Sequence, residues 1–281
     1  MVREIKAEQI SEVVARLCQE ANYGLPDDVV TAIQRALITE EASIGKEILG
    51  QILENAQIAR EEKLPLCQDT GVTLIYLELG QEVHVKGDLY GAIQEGVRQG
   101  YREGYLRKSM VERPFSERIN TGDNTPAVIH TEIAQGHKLR IMVVPKGAGS
   151  ENMSRLFMLN PSSGRQGIIN NVVMAVEEAG GNPCPPVIVG VGIGGTAEKA
   201  MHIAKLAVLR PLGEANANLQ NAQLEADILR GINNLGIGPQ GFGGRTTALA
   251  VHIETFPSHI GSLALAVNIQ CHALRHREAI L

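Results

Sequence analysis

The spacing of apolar residues changes early in this chain, and that change decides what it can fold into. Up to about residue 60 the period is helical. Residues 7–20 place Ile10, Val13, Val14, Leu17 and Cys18 on one face. Asp27 and Asp28 open a second run carrying Val29, Val30, Ile33 and Leu37, and residues 43–60 form a third with Ile44, Ile48, Leu49, Ile52, Leu53 and Ala56. After "KLPLCQDTG" the period becomes that of a strand, in "VTLIYLEL" (72–79) and "EVHVKG" (82–87). From there the two periods interleave. Helices are predicted over 89–104, over 166–179 with a stop at Gly180-Gly181, over 197–209 with Thr196 as cap, and over about 219–234. Strands are predicted in 185–195, 247–255 and 262–269, and 126–147 reads as a hairpin around Gln135-Gly136.

Hairpins and crossovers in one chain predict an α/β fold: a mixed sheet flanked by helices, an N-terminal helical layer, and a single large domain over 1–281. There is no Trp and aromatics are only 3%, so Ala, Val, Ile and Leu must fill the core. The length allows one large core or two modest ones. No linker and no internal sequence repeat is visible.

Several function classes are excluded. The net charge is −5 and no Lys/Arg run stands out, so no nucleic-acid partner is expected. The basic C-terminus, "LRHREAIL", reads as a solvated tail. The N-terminus has no apolar segment of the signal-peptide kind. No apolar run approaches the ~20 residues of a membrane span. No membrane association is expected, and the expected location is the cytoplasm.

The chemistry rests on scattered residues. Cys67, Cys184 and Cys271 each lie where a turn meets a regular element, whereas Cys18 falls inside a helical stripe and reads as packing. Spacing alone favours burial of all four as small hydrophobes, since separations of 117 and 87 residues match no local metal motif. Polar company argues the other way. Gln68 and Asp69 follow the first thiol, and His259 and His272 lie near the third. His130 and His252 sit inside strand patterns and read as structural. "KGAGSENMS" (146–154) can form a backbone nest for a carboxylate or phosphate, or an ordinary turn. "GVGIGG" (190–195) departs from the dinucleotide spacing and reads as close helix–sheet packing, and "GPQGFGG" reads as a tight loop.

Taken together, "LCQDTG", "NTGDNTPAVIH", "KGAGSENMS", "NPCPPVIVGVGIGGT", "GFGGRTTALAVHIE" and "SHIGSLALAVNIQCHA" resemble the iron–sulfur class I fumarate hydratase family. More narrowly they resemble its separate α subunit, a type shared with tartrate dehydratase. The likeness runs from about residue 10 to 276.

The resemblance implies a [4Fe–4S] cluster held by Cys67, Cys184 and Cys271, with one iron left open for Lewis-acid chemistry. It implies Asp69 as an active-site acid, and Gln68, Arg107, Gly149 and His259 around the substrate. The leading implied reaction is reversible hydration of fumarate to L-malate; the alternatives are L-tartrate dehydration or, from another class, a non-catalytic structural or assembly subunit. Single-chain relatives continue into a swivelling domain that supplies the proposed base. A separate β subunit carrying that domain is therefore expected, in an α2β2 hetero-oligomer acting on a small dicarboxylate. Ala264 stands where the family commonly has proline.

Overall fold

The computed structural model describes residues 2–281. In chain order the strands and α-helices are β1 (Arg3–Lys6), α1 (Ala7–Tyr23), α2 (Asp27–Thr39), α3 (Ser43–Glu62), β2 (Val72–Gly80), β3 (Val83–Lys86), α4 (Leu89–Glu103), β4 (Val128–Ala134), β5 (Leu139–Lys146), α5 (Ala148–Glu151), β6 (Arg155–Leu159), α6 (Gly164–Ala179), β7 (Val187–Gly194), α7 (Ala197–Ala207), α8 (Leu219–Asn233), β8 (Ala248–Phe256), β9 (Leu263–Gln270) and β10 (Arg277–Ile280). The fold is mixed α/β. Its contacts group into two compact units: Met1–Leu25, Ala56–Ala148 and Arg275–Leu281 form the first, and Pro26–Asn55 and Gly149–Leu274 the second. Neither unit is one continuous segment, which is why the sequence shows no linker. The three N-terminal helices are shared between them.

Unit 1 carries a four-stranded sheet in the order β10-β5-β2-β4 and a small parallel pair, β1 with β3. β2 runs parallel to β4 and antiparallel to β5. The hairpin predicted for 126–147 is therefore not formed. Both of its arms flank β2, and the Gln135-Gly136 turn wraps the end of that strand, with Gly136 O accepting from Glu82 N at 2.9 Å. The C-terminal tail predicted to be solvated is also corrected: β10 pairs antiparallel with β5, and Arg275 is 1% exposed. α1 and α4 cover the sheet, and the core joins Ile10, Val14, Leu17 and Cys18 to Ile75, Val97, Ile141 and Val143. Cys18 is fully buried, and burial pushes its thiol up to about 12.

Unit 2 carries the sheet β6-β9-β7-β8, with β7 parallel to β8 and antiparallel to β9. Its connectivity matches that of unit 1. In each, a central strand (β2 or β7) crosses over to a parallel neighbour (β4 or β8), and the chain then returns antiparallel on the other side (β5 or β9). "GVGIGG" lies in β7, as packing: Cβ atoms added at Gly190 and Gly192 would stand 2.1 and 2.0 Å from the carbonyls of Ala204 and Ala200 in α7. Thr196 does take the N-cap position of α7, but its hydroxyl donates to Glu198 at 2.6 Å. The loop containing "GPQGFGG" closes over a buried carboxylate. Glu40 accepts from the backbone N–H groups of Ala42, Arg245 and Thr246 at 2.8–3.1 Å. Among the described residues, no helix is long and apolar enough to cross a membrane.

Candidate active site

The matched connectivity creates the same corner in each unit, where the start of the central strand meets the end of its antiparallel return. In unit 1 that corner pairs Val72 with Lys146. It places the loop 66–71 beside Lys146, Gly147 and Ala148. Asp69 joins the two: Oδ1 accepts from Gly71 N at 3.0 Å, and Oδ2 accepts from Ala148 N at 2.8 Å. A Cβ on Gly147 would stand 3.1 Å from Asp69 Oδ2, tighter than an ordinary van der Waals contact, so a side chain there would press on the carboxylate. The "KGAGS" segment thus gives one N–H, that of Ala148, to a carboxylate, and that carboxylate is the chain's own. Asp69 N points at Cys67 Sγ at 3.4 Å, and Gln68 Oε1 lies 3.4 Å from the same sulfur.

Buried groups fix this loop from behind. Arg275 donates to Asp69 O at 2.8 Å and to Asn22 Oδ1 at 3.0 Å. Tyr101 donates its hydroxyl to Thr70 O at 2.9 Å, and burial raises its pKa. Asn124, fully buried, donates to Gly71 O at 3.2 Å. Thr70 donates to the carbonyl of Arg107 at 2.7 Å, which ties Arg107 to the corner while its side chain stays exposed. Sequence reasoning missed Arg275, Tyr101 and Asn124 as supports. Arg275 sat in an apparently solvated tail; Asn124 at least lay inside a motif, "NTGDNTP".

In unit 2 the corner pairs Ile188 with Gln270. Cys184 precedes β7 by three residues and Cys271 directly follows β9, so the sheet brings both thiols to one end. Cys184 is exposed between buried prolines, Pro183 and Pro185. Gln270 Nε2 lies 3.5 Å from Cys271 Sγ. Gly149 is exposed, and a Cβ there would meet Asn182 O at 3.4 Å, two residues from Cys184. His259 is elsewhere. It follows β8, whose last residue pairs with Gly194 at the far end of β7. Eight strand residues separate those ends, roughly 25 Å. Its Nδ1 is engaged locally, 3.1 Å from Gly261 N. The structure therefore groups Cys67, Gln68, Asp69 and Arg107 in one unit and Gly149, Cys184 and Cys271 in the other, with His259 at the opposite end of the second sheet.

These corners lie within a known sequence family. The fumarate hydratase (Fumerase) family matches residues 11–280. The chain belongs to this family. A Methanocaldococcus jannaschii protein named "Putative L(+)-tartrate dehydratase subunit alpha" is 43% identical over 272 residues, covering 95% of each chain. The L(+)-tartrate dehydratase subunit alpha of Escherichia coli (strain UTI89 / UPEC) is 33% identical over 277 residues, 97% of this chain and 90% of the relative. That of Shigella boydii serotype 4 matches to the same extent.

Family membership makes the chain a relative of hydro-lyases, and the cysteines of this fumarate hydratase family member can be tested against a cluster. Among the described residues, none of the four is in a disulfide. Cys67, Cys184 and Cys271 are open to their surroundings, and N–H groups reach the sulfurs of Cys67 and Cys271. Cys18 is sealed and held as a thiol. Three accessible thiols at strand ends suit iron–sulfur ligation. Among the described residues no three His, Cys, Asp or Glu side chains close on a single ion. That geometry belongs to a mononuclear site, whereas a cluster spreads its thiolates over different irons.

Proposed function

We propose that this chain is the α subunit of a two-chain iron–sulfur hydro-lyase that removes water from a 2-hydroxy dicarboxylate, with L(+)-tartrate as its substrate. The observation that carries the reading is three open thiols at strand ends in a chain whose full-length relatives are named tartrate dehydratase α subunits. The sequence motifs alone put fumarate first; the relatives' names favour tartrate. Fumarate hydration is the second reading, supported by the name of the matched family.

Cys67, Cys184 and Cys271 would hold the [4Fe–4S] cluster. Bound there, it supplies a Lewis-acidic iron site for the substrate hydroxyl. The chain's own residues do the rest. Arg107, with an exposed guanidinium, is suited to a substrate carboxylate. Gln68 and the backbone of Gly149 supply further polar contacts. Asp69 delivers a proton to the departing oxygen. Each of its oxygens accepts one N–H and keeps a further lone pair where that proton can sit. His259 is retained as a substrate contact on the family resemblance. The base that removes the carbon-bound proton is assigned to a β subunit with a swivelling domain, in an α2β2 assembly.

Anaerobic reconstitution with iron and sulfide, with and without that β chain, tests the reading. Close to four irons per α chain and turnover only in the complex are expected. Turnover by α alone would contradict a shared site. A colourless, iron-free complex without turnover would point to a structural subunit.

A further inference from the structure

Cys184 has a backbone conformation that its side chain does not favour. Its φ is +57°, in the left-handed region where residues with a Cβ are uncommon. Such a residue persists only when its surroundings hold it there. The turn itself supplies one bond, from Cys184 N to Gly181 O at 3.1 Å.

Further grip comes from two side chains distant in sequence. His272 Nδ1 lies 3.0 Å from Cys184 O. A carbonyl oxygen only accepts, so Nδ1 carries the proton in this contact. Gln240 grips the next residue twice: its backbone N donates to Pro185 O at 2.8 Å, and its Nε2 donates to the same oxygen at 3.0 Å. Gln240 is itself left-handed, at φ +52°, and its Nε2 sits 3.3 Å from the same Nδ1, a packing contact once that nitrogen donates to Cys184 O, so Gln240 acts through Pro185 O. Behind them Gly241 and Gly181 touch through their backbones: a Cβ on Gly241 would stand 2.8 Å from Gly181 Cα. His272 is the residue after Cys271. The imidazole that holds the backbone of one thiol residue is therefore chained directly to the other.

We propose that His272, assisted by Gln240, is a positioning residue. It locks the Cys184 turn onto the end of β9, so that two of the three thiols are pre-set before iron arrives. This rests on the cluster reading given above, but it concerns the iron-free chain and is tested there. An imidazole with Nδ1 bound to a carbonyl serves as a strut. The pre-set pair lowers the ordering cost of capturing iron and slows its loss.

The test uses the full chain, anaerobic and stripped of iron, in four forms: wild type, His272→Ala, His272→Asn and Gln240→Ala. Asparagine places an N–H near the position of Nδ1. The first readout is the rate at which N-ethylmaleimide labels Cys184, followed by peptide mass spectrometry, with Cys67 as internal control. The second is the half-life of bound iron against a chelator after reconstitution. In His272→Ala, the loss of one hydrogen bond is expected to change the Cys184 rate and shorten the iron half-life, each by about tenfold, with Cys67 unmoved. His272→Asn should return both toward wild type. Gln240→Ala should shift both in the same direction, and it decides the matter if His272→Ala does not fold. Wild-type behaviour of both alanine variants, or failure of asparagine to restore the rates, would overturn the proposal. If wild type takes up no iron, the cluster reading fails, and the labelling of Cys184 alone decides whether the strut exists.

Discussion

Both carboxylate oxygens of Asp69 are engaged by backbone N–H groups before any substrate arrives. The side chain therefore has a structural task as well as its proposed chemical one. Asp69→Asn separates them. Its amide keeps one acceptor and turns an N–H toward a donor, so thermal or urea unfolding should show a loss of about 1–3 kcal/mol. In the iron-loaded complex, turnover should fall roughly 10²–10⁴-fold while iron content holds. A variant that lost iron with its turnover would make Asp69 a clamp for the Cys67 loop. The cysteines divide in the same way. Serine at Cys67, Cys184 or Cys271 should abolish iron uptake, and Cys18→Ser should leave it intact at a cost in stability, as measured by iron assay and melting. The separation of Cys18 from the other three was legible in the sequence, because a helical stripe marks a core position. The carboxylate bound by the "KGAGS" segment was not. Asp69 and Gly147 are far apart in the chain, and only the β2–β5 register joins them.

At the scale of elements, hydrophobic period located the long helices and strands. It did not show how the strands are ordered. β4 and β5 are joined by a turn that suits a hairpin, yet β2 inserts between them, because pairing on both sides of β2 buries Ile75 and Leu77 against Ile141 and Val143. Short edge strands were missed for a related reason: β1, β6 and β10 have only four or five residues, too few to show a period. Glycines read as packing devices offer a sharp check. Gly192→Ala drives a Cβ to 2.0 Å from Ala200 O and should cost about 1–3 kcal/mol. Gly50, inside α3, has nothing within 4 Å of an added Cβ. Gly50→Ala should therefore stabilise, by up to about 1 kcal/mol. Urea unfolding of the two variants should move in opposite directions.

At the scale of the whole molecule, two buried groups in unit 2 contribute to the response to acid. Burial, reinforced by Arg210, pushes the His252 imidazole down to about 4, while its Nδ1 lies 3.1 Å from Ala207 O. In an unfolded chain the same group titrates near ~6.5, so the unfolded state binds the proton first. Its contribution is complete above that value and is lost as pH falls toward 4, on the order of 3 kcal/mol. For Glu40, burial alone would raise the carboxyl. The N–H donors of Arg245, Ala42 and Thr246, with the Thr246 side chain, outweigh it and hold the group at about 2. That contribution is complete above an unfolded value of ~4.3 and disappears as pH falls to 2. Stability should therefore decline in two stages, and His252→Asn should flatten only the upper one in urea titrations at stepped pH. The family and the α/β class were legible in the sequence because they reside in long motifs and long periods. The division into two interleaved units was not, because no local signal marks it. Substrate choice tests the central claim most directly. Tartrate differs from malate by one hydroxyl, and a site built to bind that group discriminates strongly against its absence. The iron-loaded complex should show a kcat/KM for L(+)-tartrate at least about 10²-fold above that for L-malate or fumarate. Faster turnover of fumarate and malate than of tartrate would contradict the account.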